Sequence, residues 1–167
     1  MIPEQIDPKG LNDYLEIMTK AVFQAGVSWA LVDKKWDGFK RAFKNFDPSL
    51  VAAFDAQDIE RLTSDEGILR SKSKIAGTIH NAKTMLALEK EFGTFKKYLQ
   101  SKQSYEDLSA DIRKRFKYVG ELSVYYLLFR LKEPVPPFDD WIKTIEGDHP
   151  RMREMVELAK SKQGAAK

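Results

Sequence analysis

The 167 residues carry 28 lysines and arginines against 25 aspartates and glutamates, a formal net charge of +3, with 43% apolar and 32% charged residues, which is enough chain and enough apolar surface for one compact core. No apolar run is long enough to span a bilayer, and Met1-Ile2-Pro3-Glu4 has neither a basic leader nor an apolar stretch, so neither a membrane segment nor a signal peptide is expected. The chain has no cysteine and only two histidines, His80 and His149, which excludes a disulfide framework and a thiolate metal site; a cytoplasmic domain with no metal and no cofactor is expected.

The residues before Lys9 read as an extended lead-in, because Pro3 and Pro8 oppose helix. Leu11, Leu15, Met18 and Val22 then recur at helical spacing and predict a first helix from about Leu11 to Gln24. Gly26 breaks the pattern and frees the backbone for a sharp turn. Ser28 is placed to cap a second helix with its hydroxyl, running through Leu31, Phe39 and Phe43 to about Asn45. The turn between them carries an apolar Val27 and an indole, Trp29, where a loop is usually polar. The simplest reading of it is a helix–helix corner with Trp29 as core.

Asp47-Pro48 reads as an N-cap followed by proline at the first helical position, with Val51 and Phe54 on the apolar side. Asp55 caps the next helix, in which Ile59 and Leu62 point inward and which Gly67 is expected to end. Ser71 caps the longest helix, with a stripe of Ile75, Ile79, Ala82 and Leu86 and a stop near Gly93. A short helical piece spans Thr94 to Leu99, and Ser104 with Asp107 predicts a capped helix ending near Arg115. Glu121 to Leu131 is a strongly apolar helix, and Pro134-Val135-Pro136-Pro137 forces an extended connector. Helices are expected to resume at Trp141 and from Pro150 to about Lys162, before a frayed tail. With no strand alternation and no repeat, the chain reads as a single all-α domain, 1–167, of about ten short helices.

The sequence pI of about 8.9 permits nucleic-acid binding without demanding it. Basic residues cluster at Lys34-Lys35, at Arg70, Lys72 and Lys74, and at Arg113, Lys114, Arg115 and Lys117; acidic residues gather from Glu133 to Asp148. A solvated face is the simpler reading of any one cluster. The segment from about 108 to 131 reads helix, tight turn, helix, and the turn Phe116-Lys117-Tyr118-Val119-Gly120 is of a kind that presents backbone N–H groups to a phosphate. A plain helix–helix corner is the alternative.

Gln24-Ala25-Gly26-Val27-Ser28-Trp29 resembles the Gln-Ala-Gly-Leu-Ser-Trp signature of the DNA-3-methyladenine glycosylase I family. The likeness continues in order through Lys34-Lys35, Phe39, Ala42-Phe43, Phe46-Asp47-Pro48, Val51-Ala52-Ala53 and Asp58-Ile59-Glu60-Arg61-Leu62. It runs on through Gly67-Ile68-Leu69-Arg70, Lys74-Ile75 and Asn81-Ala82 to Arg115-Phe116-Lys117-Tyr118-Val119-Gly120.

The resemblance implies an all-α helix-hairpin-helix DNA glycosylase, a monomer acting on double-stranded DNA that holds a damaged base. It implies Ala21, Gln24 and Trp29 around the extruded base, Gly26 and Val27 as the wedge in the duplex, and Lys117, Tyr118, Val119, Gly120 and Lys74 along the DNA backbone. The superfamily's hairpin carries glycine at the position of Tyr118; only Gly120 is retained here. Bifunctional members carry a Schiff-base lysine where this chain has Leu122, which implies a monofunctional enzyme that uses water. Asp139, or Asp140 next to it, falls near the position of the superfamily's catalytic aspartate; a helix-capping role is the alternative for it.

Three departures stand out. Ala21 occupies the position of the family's lesion-reading glutamate. The family's zinc cysteines and histidines are absent, and so are its N-terminal pocket aromatics. The implied activity is hydrolysis of the N-glycosidic bond of an alkylated purine such as 3-methyladenine. A non-catalytic DNA-binding module and a helical protein–protein adaptor are the alternatives. His80, on the long helix, is expected at the surface rather than as a ligand.

Overall fold

The computed structural model describes residues 3–145, so the helix expected from Pro150 to Lys162, the tail and the end of the acidic run lie outside the described residues. Among the described residues there are ten α-helices and no strand. They are α1 (Leu11–Gln24), α2 (Trp29–Lys34), α3 (Trp36–Ala42), α4 (Pro48–Ala52), α5 (Ala56–Thr63), α6 (Lys72–Phe92), α7 (Phe95–Leu99), α8 (Tyr105–Arg115), α9 (Glu121–Arg130) and α10 (Phe138–Trp141), with 3-10 turns at Lys44–Phe46 and Ile142–Thr144. No described helix is long and apolar enough to cross a membrane.

The longest helix, α6, is the spine: α1, α4, α5 and α7 all pack on it, and α1 also packs on α9. Its Ser71 hydroxyl accepts the Lys74 backbone N–H at 3.4 Å, and Gly93, with φ +88, closes it. Its inward face is Ile75, Ile79, Ala82 and Met85. Met85 is fully buried where Leu86 was expected, and Leu86 itself is only half-buried. Leu15, Met18 and Val22 of α1 meet this face with no exposure, and burying a side chain of that size contributes about 1.5–3 kcal/mol.

The single helix expected from Ser28 to Asn45 is two helices. The Ser28 side chain makes no capping bond; its carbonyl accepts the Val32 N–H at 3.2 Å instead. Leu31 is exposed and Val32 is the buried residue. The chain breaks at Lys35, where the Trp36 indole N–H donates to Glu16 at 2.9 Å and anchors the start of α3. After α3, Lys44, Asn45 and Phe46 all take positive φ, a left-handed turn that non-glycine residues resist. Burial holds it there: Phe46 is sealed and stacks on Trp36 and Phe43.

Helix α5 ends at Thr63, capped at Ser64, and not at Gly67. Gly67 serves contact instead, since its carbonyl lies where a Cβ on Gly38 would be, so α3 and the loop after α5 touch backbone to backbone. The extended lead-in has a job as well. Ile6 N–H donates to the Arg130 carbonyl at 2.8 Å and the Gln5 amide to the Phe129 carbonyl at 2.9 Å, satisfying acceptors at the end of α9.

Candidate functional site

The Gly26 corner follows from the end of α1. Ala25 leaves the helix in an extended conformation and Gly26 turns the chain at φ +72, with nothing within 4 Å of an added Cβ. Left-handed backbone, not crowding, is therefore what requires glycine there. Lys74, at the head of α6, donates its ammonium to the Ala25 carbonyl at 3.0 Å and lies 6.0 Å from the Phe23 ring. Burial holds its pKa below the ordinary lysine value. A cation at the carbonyl end of α1 is also favoured by the helix dipole. The Lys74 side chain is thus committed to the corner, half-buried, rather than standing free on a basic face.

Trp29 opens α2 on the far side of this corner and is half-buried. Tyr126 of α9 meets its ring edge-on at 4.9 Å, and the Arg130 guanidinium lies over the same ring at 5.3 Å. Arg130 is only 4% exposed. Its Nη2 donates to the Gln24 amide oxygen at 2.9 Å, and its Nη1 is buried with no partner among the described residues. Burial pushes its pKa down to about 10, against the pull of Asp33 and Tyr126, so it stays charged at neutral pH. Ala21 is buried one turn back on α1. Gln24, Trp29, Tyr126 and Arg130 therefore form one connected group, joining the first corner to α9.

The second corner lies between α8 and α9. Asn81, buried on α6, grips it with both ends of its amide: Lys117 N–H donates to Oδ1 at 2.8 Å, and Nδ2 donates to the Lys117 carbonyl at 3.1 Å. His80 is not a bare surface residue. Its Nε2 lies 3.1 Å from the Arg115 carbonyl and 3.3 Å from the Thr84 hydroxyl. Tyr118 takes φ +61 and is 47% exposed. Its ring lies over Gly77, where an added Cβ would come within 2.5 Å of Cδ2. Val119 buries its side chain in the core, so only its backbone faces the turn. Gly120 is the extended N-cap of α9, with no side chain to bond the first N–H groups of that helix. Lys117 is exposed, and Arg113 pairs with Glu121 at 3.3 Å beside it.

Both corners are thus fixed to one helix. Lys74 and Asn81 lie seven residues apart on α6, roughly 10 Å along its axis and nearly in line on one face.

Asp139 and Asp140 are exposed and sit in the first turn of α10. That helix begins at Phe138, not at Trp141 as the sequence suggested, so Pro137 rather than either aspartate is its N-cap. Trp141 stacks on Tyr125 at 4.0 Å, and the Tyr125 hydroxyl, pushed up to about 12 by burial, donates to the Pro136 carbonyl at 2.8 Å. Trp29, Tyr126, Leu122 and Phe138 belong to this same aromatic cluster, so α10 and Trp29 border one apolar patch.

Residues 7–119 match the methyladenine glycosylase family. The chain belongs to that family. Two curated relatives agree. DNA-3-methyladenine glycosylase 1 of Escherichia coli is 41% identical over 78 residues, covering 47% of this chain and 42% of that protein. The DNA-3-methyladenine glycosylase of Haemophilus influenzae is 34% identical over 89 residues, covering 53% and 48%. The matched part of the chain spans a little under half the length of these relatives.

Among solved structures, 3-methyladenine DNA glycosylase I from Staphylococcus aureus superposes with a TM-score of 0.69 at 24% identity, over 77% of this chain and 79% of that one, a likeness of fold. A variant of 3-methyladenine DNA glycosylase I solved in complex with 3-methyladenine superposes with a TM-score of 0.66 at 26% identity, over 78% and 80%. The methyladenine glycosylase fold is therefore the architecture that carries both corners.

Three residues of the site escape a reading of the sequence. Arg130 left one signal, a lone cation in an apolar helix, which burial obliges to find partners. Tyr126 reads as ordinary core. Asn81 is a polar residue beside the apolar stripe of α6, and its partner lies 36 residues away.

Proposed function

We propose that this chain is a monofunctional DNA glycosylase that hydrolyses the N-glycosidic bond of an alkylated purine, 3-methyladenine being the base named for its relatives. The attachment of both corners to α6 is the observation that supports this reading most. One corner, the helix-hairpin-helix turn, supplies exposed Lys117 and the backbone N–H groups around Tyr118, Val119 and Gly120 to a phosphate. The other presents Gly26 and Val27 to the duplex and Trp29 to a base turned out of the stack.

Arg130 occupies one side of the indole, so the extruded base stacks on what remains open, against Gln24 and the small Ala21. An alkylated purine is already a good leaving group, and extrusion with stacking supplies much of the acceleration. Water completes the hydrolysis, since Leu122 stands where a lysine nucleophile would be. Asp139 or Asp140 contributes a carboxylate to the developing oxocarbenium ion. The protein acts as a cytoplasmic monomer on double-stranded DNA, without metal or cofactor.

The test is release of free base from methylated duplex DNA by the purified chain. A second reading, a DNA-binding module without catalysis, is favoured by Ala21 in the glutamate position. It requires tight binding of damaged duplex with no free base released.

A further inference from the structure

Arg130 has no place in the reading above except as a neighbour of Trp29, yet it is the most deeply buried cation described in the chain. A guanidinium has only donors. Whatever it bonds must offer an acceptor, so the Gln24 amide has to turn its oxygen toward Nη2, as the 2.9 Å contact has it. The other end of that amide is then fixed as well. Gln24 Nε2 donates to no group among the described residues, and it is not one of the polar atoms sealed from solvent without a partner. The amide belongs to the last residue of α1, one turn from Ala21; Gln24 is 4% exposed and shares Arg130 with the half-buried indole.

We propose that Arg130 is a positioning residue that locks the Gln24 amide with its N–H groups toward the base, so that the pocket recognises an alkylated purine through an unblocked lone pair on its edge.

The inference rests on the glycosylase reading and names what that site demands of its substrate. Without Arg130 an amide is nearly symmetric in shape and can flip to offer either its oxygen or its nitrogen. With Arg130 the flip leaves two donors facing each other across a buried contact, at the cost of a desolvated unpaired group. The choice of lone pair over N–H is thus made by a residue behind the pocket. Ala21 fits the same logic. With no carboxylate there to accept from the base, the described polar group reaching the pocket from α1 is a donor. The charged guanidinium beside the indole also weakens its pull on a second cation, which leaves the lone-pair contact to carry recognition.

The experiment titrates the full chain, bound to duplex DNA holding an abasic site, with three free bases followed by tryptophan fluorescence: 3-methyladenine, its 7-deaza analogue and its 1-deaza analogue, each lacking one ring lone pair. Wild type is expected to bind one of the two analogues roughly tenfold more weakly than the parent, the size of one hydrogen bond. Arg130→Leu frees the amide and is expected to lose that discrimination. Arg130→Lys, still donor-only, is expected to keep most of it, with unfolding followed in parallel to confirm that both variants fold. Equal binding of all three bases by wild type, or an unchanged ratio in a folded Arg130→Leu, would overturn the inference while leaving the glycosylase reading intact. If wild type binds none of the three and releases none, the reading beneath it fails too.

Discussion

Asn81 holds Lys117 through both of its amide groups, at 2.8 and 3.1 Å, across a gap of 36 residues in sequence. Truncation to Asn81→Ala leaves a backbone N–H and a carbonyl of the second corner without their partner. The expected cost is about 2 kcal/mol of stability, read from urea unfolding. The corner also loses its shape, so affinity for abasic duplex is expected to fall at least tenfold. Full DNA affinity in a variant destabilised to that extent would show that the turn is not a DNA contact.

Gly77 and Tyr118 set up a second test. Alanine on a helix is worth up to about 1 kcal/mol over glycine, but a Cβ on Gly77 would lie 2.5 Å from the Tyr118 ring. Gly77→Ala is therefore expected to stabilise the protein only when combined with Tyr118→Ala. In the wild-type background the gain is offset by displacement of the ring. The urea midpoints of the four proteins measure this coupling. Identical effects of Gly77→Ala in both backgrounds would contradict the contact.

Those corners also mark how far the sequence could be read. The helices, their caps at Asp47, Asp55, Ser71 and Ser104, and the Gly26 turn were legible, because each depends on residues within one turn of the chain. The break at Lys35 and the left-handed turn at Lys44–Phe46 were not, since Glu16, Trp36 and the stack of Phe46 decide them from elsewhere in the fold. Gly67 misled for the same reason. It looks like a helix stop, and its actual task is a backbone contact with Gly38. In the site, Trp29 and Gln24 could be named, whereas Arg130 and Asn81 gain their meaning only from partners brought up by folding.

Asp111 accepts from the Tyr98 hydroxyl at 2.5 Å and from Arg115 at 2.8 Å. Burial pulls its pKa up, yet the two donors together hold it below the ordinary value of 3.8. A carboxyl depressed in the folded state stabilises the fold above its unfolded pKa and loses that contribution as pH falls through the folded one. Stability from this group is thus expected to be level above about pH 5 and to decline below the ordinary carboxylate value. Asp111→Asn should flatten that acid limb, and Tyr98→Phe should cost about 1–2 kcal/mol near neutral pH. Unfolding by urea across the acid range measures both. An acid limb unchanged in Asp111→Asn would show that other groups carry it.

Lys117 is the exposed cation of the second corner. If it neutralises one phosphate, Lys117→Ala reduces the slope of log affinity against log salt by about one, with little change in preference among sequences. Titration of a duplex at several salt concentrations gives the slope. A slope identical to wild type would remove Lys117 from the interface.

The decisive measurement follows free base released from methylated duplex DNA alongside DNA affinity, in wild type, Trp29→Ala and Asn81→Ala. Base release by wild type is expected. Trp29→Ala should lose most of that release while still binding abasic duplex, and Asn81→Ala should lose affinity first. Release that survives Trp29→Ala undiminished, or a wild type that binds damaged duplex and frees no base, would contradict a glycosylase built on these two corners.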